Sequence, residues 1–472
     1  MTIILPSHPA DRCKTMATSL HSLMRRFVRD RRGNVLMIMA FATVPMVFSA
    51  GMAIDYSNAA RLRTKLNAVA DAAALAAVTT PMMSQTREAS ALAAYTMFTS
   101  QAANIKGLDY TLTGPVFTST ATVASYDYGA FKIVITQTNS AGINRTAVVS
   151  YKARSQNSFA SVLGIATLPI SGSSTTNAKV APNIDFYVLL DTSGSMAFPA
   201  TSAGITQFRS LTGGCAFACH STNDRTARAK NGSYTDYYGV ALSYGIPLRV
   251  DEARKAVQSM MTQATQTSNN NNADYRAAMY TFAAADSRAN NSFKMLATIT
   301  SDLQSVSNKA SAAQTSLYYN NGCPTNKFCN NDTDTATSDA FNKMNALMPA
   351  PGNGTNVTGD KPQSIMFVIT DGMRDEQRSS GRPEIAIDTS WCATVKARGI
   401  RIAILYTEYL KSSMDGDSWS QSNVVPYLGQ IEPALQTCSS DGLYYKVTTD
   451  DDISTALNRL FSQAVSTARI TQ

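Results

Sequence analysis

Short apolar runs alternate with longer amphipathic stretches over residues 183–472. Residues 186–190 and 365–369 are five-residue apolar runs, which are typical of strands buried on both faces. Further strands are predicted at 275–281, 293–300, 400–406 and 443–447, and helices at 250–262, 337–348, 385–398, 431–437 and 451–470. Strands that alternate with helices form a mostly parallel sheet covered by helices on both faces. The sequence therefore predicts an α/β domain with polar insertions at 197–247 and 303–332.

A long apolar run lies near the N-terminus. Residues 35–54 contain no charged side chain, and a helix of this length spans roughly 30 Å, the thickness of a bilayer core. We therefore predict a transmembrane helix at residues 33–55. The positive-inside rule places the basic segment 1–32 in the cytoplasm. A cleaved signal peptide ending near residues 51–53 is the alternative, but its apolar region would be unusually long.

Two further regions follow the apolar run. Residues 56–104 predict an extracytoplasmic helical stalk, because apolar side chains recur with alternating spacings of four and three residues. This stripe consists of Leu62, Leu66, Val69, Ala73 and Ala76. It packs either against a partner helix or within the same chain. Residues 105–182 alternate in polarity between Gly and Asn positions, and they predict a small β-rich domain.

Positive charge is concentrated at the N-terminus. The formal net charge is +8, and residues 1–65 hold ten Lys and Arg against three Asp and Glu. This leaves 31 of the 41 basic and 30 of the 33 acidic residues for the rest of the chain. Without a basic patch there, we expect no nucleic-acid binding.

Six of the seven cysteines lie in the predicted α/β domain. An even number on one side of a membrane segment favours disulfides in an oxidising compartment. Proximity in sequence and positions beside helices suggest the pairs Cys215–Cys219, Cys323–Cys329 and Cys392–Cys438. The connectivity stays open at this point, because six cysteines allow 15 arrangements.

Sequence motifs of common enzymes are absent. The chain has no Gly-x-Ser-x-Gly elbow, no P-loop and only three histidines. The motifs of serine hydrolases, of nucleotide-binding enzymes and of zinc enzymes are therefore missing from the sequence. We therefore expect that the protein is not an enzyme.

Polar side chains follow both five-residue runs. The first run leads into Asp191, Ser193 and Ser195, and the second leads into Asp371. The carboxyl ends of parallel strands meet at one edge of a sheet, where open α/β sheets bind ligands. Carboxylate and hydroxyl oxygens suit Mg²⁺, Mn²⁺ or Ca²⁺. The alternative is that Asp191 and Ser193 only cap the next helix.

The pattern Asp-x-Ser-x-Ser at 191–195, paired with Asp371-Gly372, resembles the metal-ion-dependent adhesion site of a von Willebrand factor A (VWA) domain. The resemblance implies a Rossmann-like, doubly wound fold that binds a divalent cation, most commonly Mg²⁺. It also implies that Ser193 and Ser195 bind the cation directly, that Asp191 and Asp371 act partly through water, and that one coordination position stays open for an Asp or Glu of a partner protein.

The resemblance further implies a threonine ligand in a loop before a helix. Thr335 is the candidate, because Ala340 and Phe341 occupy the family's small and bulky positions five and six residues later. Thr333 is the alternative. Asp334 stands where the family usually has a glycine.

The N-terminal region resembles a second family. Residues 29–34 before the apolar run and the alanine-rich stretch 65–77 behind it are similar to TadE/TadG-like proteins of tight-adherence (Flp) pilus assembly. Family pseudopilins carry a glutamate five residues after the glycine, where this chain has Ile38.

Together the two resemblances imply a function. We expect a single-pass protein of the bacterial inner membrane, with a periplasmic or surface-directed head. It would bind proteins through the metal in pilus assembly or adhesion. The alternative is a structural minor pilin or envelope anchor whose metal site only stabilises the head.

Overall fold

The computed structural model describes residues 34–139, 142–214, 216, 227–235, 237–283, 293–315, 335–376, 384–415 and 418–468. The N-terminal unit contains helices α1 (Asn34–Ala76), α2 (Thr80–Met83) and α3 (Arg87–Ala102). Its strands are β1 (Leu108–Asp109), β2 (Leu112–Ser119), β3 (Val123–Gly129), β4 (Phe131–Thr138), β5 (Ile143–Gln156) and β6 (Thr167–Val180).

Helix α1 has two parts with different surroundings. Its segment Val35–Ala76 is long and apolar enough to cross a membrane, and the side chains of its first part are almost all exposed. Its second part shares a hydrophobic core with α3 and with an antiparallel sheet. The strand order of this sheet is β1-β5-β4-β3-β2, and β6 additionally pairs with the whole length of β5. Four members of the predicted stripe, Leu62, Leu66, Val69 and Ala73, are buried in this core. The stripe therefore packs within the chain.

The C-terminal head contains ten further strands. These are β7 (Ile184–Asp191), β8 (Ala227–Arg228), β9 (Tyr234–Thr235), β10 (Tyr275–Phe282), β11 (Lys294–Thr300), β12 (Gln363–Thr370), β13 (Met373–Arg374), β14 (Ile385–Ala386), β15 (Arg401–Thr407) and β16 (Tyr444–Val447), counted among the described residues. The α-helices there are α4 (Ser202–Leu211), α5 (Tyr237–Tyr244), α6 (Arg249–Asn271), α7 (Leu303–Ala310), α8 (Thr337–Leu347), α9 (Thr389–Ala397), α10 (Ser418–Asn423), α11 (Leu428–Cys438) and α12 (Ile453–Ala468).

Six strands form the central sheet of the head, in the order β11-β10-β7-β12-β15-β16. All neighbours pair in parallel except β10 and β11. Numbered along the chain, the order is 3-2-1-4-5-6, so the direction of winding reverses between β7 and β12. Connections leave a crevice at such a reversal, outside the carboxyl ends of the strands.

Helices cover both faces of this sheet. Along β7, Phe186, Val188 and Leu190 point into a core with α6, α7 and α12, whereas Tyr187 and Leu189 point into a second core with α8, α9 and α11. Both faces of a parallel strand are buried in this arrangement, which explains the continuous apolar runs in the sequence. The predicted α/β architecture with an N-terminal apolar helix is confirmed.

One predicted helix begins later than expected. The prediction placed it from residue 385, but Ile385–Ala386 forms strand β14, which pairs with β13. Helix α9 starts at Thr389, because the side chain of Asp388 accepts a hydrogen bond from the Ser390 backbone N–H at 3.0 Å and caps it.

A disulfide joins Cys392 of α9 to Cys438 of α11, so this predicted pair is confirmed. Cys215, Cys219, Cys323 and Cys329 lie outside the described residues.

Candidate functional site

The candidate site lies where the winding of the sheet reverses. Strand β7 ends at Asp191, and its neighbour β12 ends at Thr370, directly before Asp371. The two strands pair in parallel up to Leu190 and Ile369. The sheet itself therefore brings the two acidic residues to adjacent strand ends.

Asp191 is fully buried, and both of its carboxylate oxygens accept hydrogen bonds. The Ser193 backbone N–H donates to Oδ1 at 2.9 Å, and the Thr370 hydroxyl donates to Oδ2 at 2.6 Å. The first bond resembles a cap for the short 3₁₀ helix Gly194–Ala197, but the Ser193 side chain makes no capping bond there. Capping therefore accounts for only part of the loop.

Ser193 and Ser195 bring their hydroxyls together beside Asp191. The two Oγ atoms lie 3.1 Å apart. Ser193 is buried, whereas Gly194 and Ser195 are half-buried. Solvent and any ligand therefore reach this loop at residues 194 and 195.

Asp371 is also fully buried, but only one of its oxygens is satisfied. The Tyr409 hydroxyl donates to Oδ2 at 2.7 Å, while Oδ1 has no hydrogen-bond partner among the described residues. A buried polar atom without a partner is costly and calls for an explanation, of which a bound ion or water is one. Gly372 follows with φ +78°, and a Cβ atom there would come within 2.5 Å of Ile431, so only glycine fits this turn.

A buried cation stands behind Asp371. The Arg249 Nη1 atom lies 3.9 Å from Asp371 Oδ2, and the Nη2 atom donates to the Glu408 carbonyl at 2.7 Å. The guanidinium also lies over the rings of Phe198 and Tyr409. These contacts fix a positive charge next to one of the two carboxylates.

The two carboxyl groups perturb one another. Burial, followed by the charge of Asp371, raises the pKa of Asp191. Burial also raises the pKa of Asp371, although Arg249 and the hydroxyls of Ser195 and Tyr409 act in the opposite direction. Two buried acids with raised pKa values are costly to ionise, so a bound cation would favour their charged form.

Thr335 lies at the same edge of the sheet. It is buried and forms an isolated β-bridge with Asp375, four residues after Asp371. The following Ala336 N–H donates to the Ala283 carbonyl, just beyond the end of β10, at 2.8 Å. Thr335 therefore lies two residues before α8, in a loop that pairs with Asp375 and is attached to the residue just beyond the end of β10. The alternative, Thr333, and Asp334 lie outside the described residues.

The donor set fits a hard divalent cation. Asp191, Ser193, Ser195, Thr335 and Asp371 offer two carboxylates and three hydroxyls, which are oxygen ligands of the kind that Mg²⁺ and Ca²⁺ prefer. The unpartnered Asp371 Oδ1 is consistent with such an ion. No cluster of three His, Cys, Asp or Glu side chains suited to a metal occurs in the part of the chain that the structure describes. A cation at this site would thus depend on hydroxyl ligands, and it would offer a coordination position to the carboxylate of another protein.

Three residues of this site were not predicted. Thr370, Arg249 and Tyr409 contact the two acids. Thr370 directly precedes Asp371 at the end of an apolar run, which is a usable sequence indication. Arg249 and Tyr409 reach the site only through the tertiary fold, and no local pattern distinguishes them.

One family model matches the chain. Residues 33–80 match the Tad family of Flp pilus-assembly, TadE/G-like proteins. This is a pilus-assembly family rather than a family of enzymes, and the match covers α1 and its immediate surroundings. No curated protein matches the sequence.

Three solved structures illustrate the structural similarities. The pilus adhesin SpaC from Lactobacillus rhamnosus GG is 11% identical, with 75% of this chain and 35% of that chain covered and a TM-score of 0.35. The vWF domain of the type V pili tip protein Mfa5 from Porphyromonas gingivalis is 10% identical, with 62% and 97% covered and a TM-score of 0.34. The PilB minor pilin from Streptococcus sanguinis is 10% identical, with 69% and 76% covered and a TM-score of 0.31. The chain thus spans about a third of the length of SpaC, and similarities this low assign no function to it.

Proposed function

We propose that this chain is a membrane-anchored pilus-assembly protein whose head is a doubly wound VWA domain. The head binds a divalent cation, most commonly Mg²⁺, through Ser193, Ser195 and Thr335, with Asp191 and Asp371 in support. The bound cation then accepts an Asp or Glu side chain of a partner protein. The family match at residues 33–80 supports the pilus-related role and the inner-membrane anchor, with the head on the periplasmic side or at the surface.

One observation carries the metal-binding proposal. Asp191, Ser193, Ser195 and Asp371 meet where the winding of the sheet reverses, and Asp371 keeps one buried oxygen without a partner. Helix capping explains neither this oxygen nor the second acid. Because Gly194 and Ser195 form the accessible side of the loop, a partner carboxylate would approach from there.

A structural role is the second candidate. Tyr409 and Arg249 already contact Asp371, and these contacts tie the site into the core of the head. A cation at this position could therefore serve stability alone. Pili that assemble normally with an Asp191→Ala protein would favour this role.

A capture experiment tests the binding function. The head (residues 183–472), immobilised with Mg²⁺, is exposed to periplasmic extract, and the retained proteins are compared with those retained by Asp191→Ala. We expect retention to be lost in the variant, in EDTA, and after the extract carboxylates are converted to amides. Asp185→Asn is the matched control, because Asp185 is a buried acid of the same strand that pairs with Arg276 at the opposite end. If the Asp191→Ala head, or the wild-type head in EDTA, retained as much protein as the wild-type head with Mg²⁺, metal-dependent binding would be rejected.

A further inference from the structure

A cluster of exposed apolar side chains lies between β5 and β6. The interfacial loop, residues 159–165, contains the 3₁₀ helix Ala160–Leu163. Val162 is 74% exposed, and Leu163, Ile165 and Phe159 are between 40% and 52% exposed. Four exposed apolar residues within seven positions indicate a surface that contacts something other than water.

The interfacial loop is attached to α1 through Asp55. One oxygen of this carboxylate accepts the backbone N–H of Ser158 at 2.9 Å, and the other accepts those of Phe159 at 3.0 Å and Ala160 at 2.7 Å. Three charge-assisted hydrogen bonds hold the loop in place and satisfy an acid that is only 1% exposed. The acid can therefore lie beside an apolar environment.

Close packing against α1 strengthens this attachment. A Cβ atom at Gly51 would lie 2.6 Å from the Phe159 Cβ atom, so Phe159 packs directly on the helix backbone. Gly51 lies within the uncharged run 35–54, three residues, or about 5 Å along the helix axis, before its end. The loop is thus level with the end of the apolar run that is proposed to span the bilayer.

The surrounding part of α1 has the features of a membrane interface. Met52 and Ile54, the sequence neighbours of Gly51 and Asp55, are exposed apolar residues, and Tyr56 is 72% exposed. Tyrosine is enriched at the headgroup level of membranes. Arg61 and Arg63, both exposed, follow one to two turns later, where they can reach lipid phosphates.

We propose that the interfacial loop inserts into the outer surface of the bilayer beside α1 and fixes the N-terminal unit against the membrane. The occupant of this apolar surface is lipid, because the surface is continuous with the membrane-spanning part of α1 and lies at its end. The inference rests on the proposed membrane anchor, and it adds a second attachment that limits how far the unit can tilt.

Depth-dependent fluorescence quenching tests this proposal on the full chain. The protein, with Trp391 and Trp419 replaced by Phe, is reconstituted into vesicles that carry bromine atoms either near the headgroups or near the bilayer centre. Single tryptophans are introduced at Val162, at Val44 in the middle of the run, and at Leu242, an exposed apolar residue of the head. Resistance to trypsin verifies that each variant is folded.

We expect Val162→Trp to be quenched several-fold more than Leu242→Trp, and most strongly by bromine near the headgroups. Val44→Trp should be quenched most strongly from the bilayer centre. Quenching at 44 with none at 162 would overturn the proposal while the anchor stands. Absence of quenching at both positions would reject the anchor and the loop insertion together. Leu163→Trp repeats the measurement at an independent position and should agree with Val162→Trp.

Discussion

Replacing Arg249 with methionine removes the buried cation beside Asp371 while keeping an apolar side chain of similar length. The Arg249 side chain is only 4% exposed, and its Nη1 atom lies 3.9 Å from Asp371 Oδ2. Without the guanidinium, the two buried acids face one another with no positive charge fixed at that position. We expect the metal-free head to lose stability and the response to metal to grow.

The two effects have different magnitudes. At about 4 Å and an effective dielectric constant near 20, unit charges interact by about 4 kcal/mol, and breaking a buried pair typically costs about 3–5 kcal/mol. We therefore expect a loss of about 3 kcal/mol without metal, because protonation of an acid offsets part of the cost. The guanidinium also repels a cation bound at Asp371. Tenfold tighter metal binding after its removal would add about 1.4 kcal/mol to the stabilisation by saturating Mg²⁺.

Unfolding of the head in guanidinium chloride, once with EDTA and once with Mg²⁺, measures the loss of stability and the change in metal binding. Arg276→Met is the matched control, because Arg276 pairs with Asp185 at the opposite end of the sheet, at 2.7 Å, and its side chain is 37% exposed. The control should lose less stability and respond to Mg²⁺ as the wild type does. If Mg²⁺ stabilises Arg249→Met no more than Arg276→Met, the cation does not bind beside Asp371.

Three further predictions concern the disulfide, the N-terminal unit and the pH dependence of the head. Replacing Cys392 and Cys438 by alanine opens a crosslink with a sequence separation of 46 residues, and we expect a loss of about 4 kcal/mol in unfolding by denaturant; an unchanged midpoint would contradict this. Arg145→Leu should destabilise the N-terminal unit by about 3 kcal/mol or more, because it removes the hydrogen bonds that this fully buried guanidinium donates to Gln137, Met82 and Gln85. Arg154→Leu, on the exposed face of the same strand, should have little effect in limited proteolysis. Burial raises the folded-state pKa of Asp191 from the ordinary value of 3.8 to about 7, so between these two pH values the metal-free native head binds more protons than the unfolded chain. The stability of the head should therefore fall as the pH rises from 3.8 to about 7, and the fall should be smaller in Asp191→Asn. Equal pH profiles of the two proteins would refute this prediction.

The central strands could be predicted because their sequence pattern reflects their surroundings. The runs 186–190 and 365–369 lie within the observed strands β7 and β12. Both strands are buried on both faces, and this requirement produces runs of consecutive apolar residues. Since Asp191 directly follows the first run and only Thr370 separates Asp371 from the second, their meeting at one edge of the sheet could also be predicted.

Contacts between distant segments could not be predicted in this way. Arg249 and Tyr409 contact Asp371 although they are 122 and 38 positions away from it in the sequence. Nothing in the sequence around either residue indicates this contact. The start of α9 was placed too early because Ile385 and Ala386 are apolar, although they pair with β13 instead. The stripe on α1 is a buried face, as its spacing predicts, but periodicity alone does not determine whether the partner belongs to the same chain.

The central claim is that the head binds a divalent cation at the candidate site. A titration with Mn²⁺ tests it directly, with the free ion measured by electron paramagnetic resonance. The account predicts that the wild-type head binds one Mn²⁺, that Mg²⁺ displaces it, and that Asp191→Ala abolishes binding while the disulfide-linked head stays folded. Thr335→Ala should weaken binding more than Thr333→Ala. A head that leaves Mn²⁺ free in solution, or an Asp191→Ala head that binds it as tightly as the wild type, would contradict the proposed metal site.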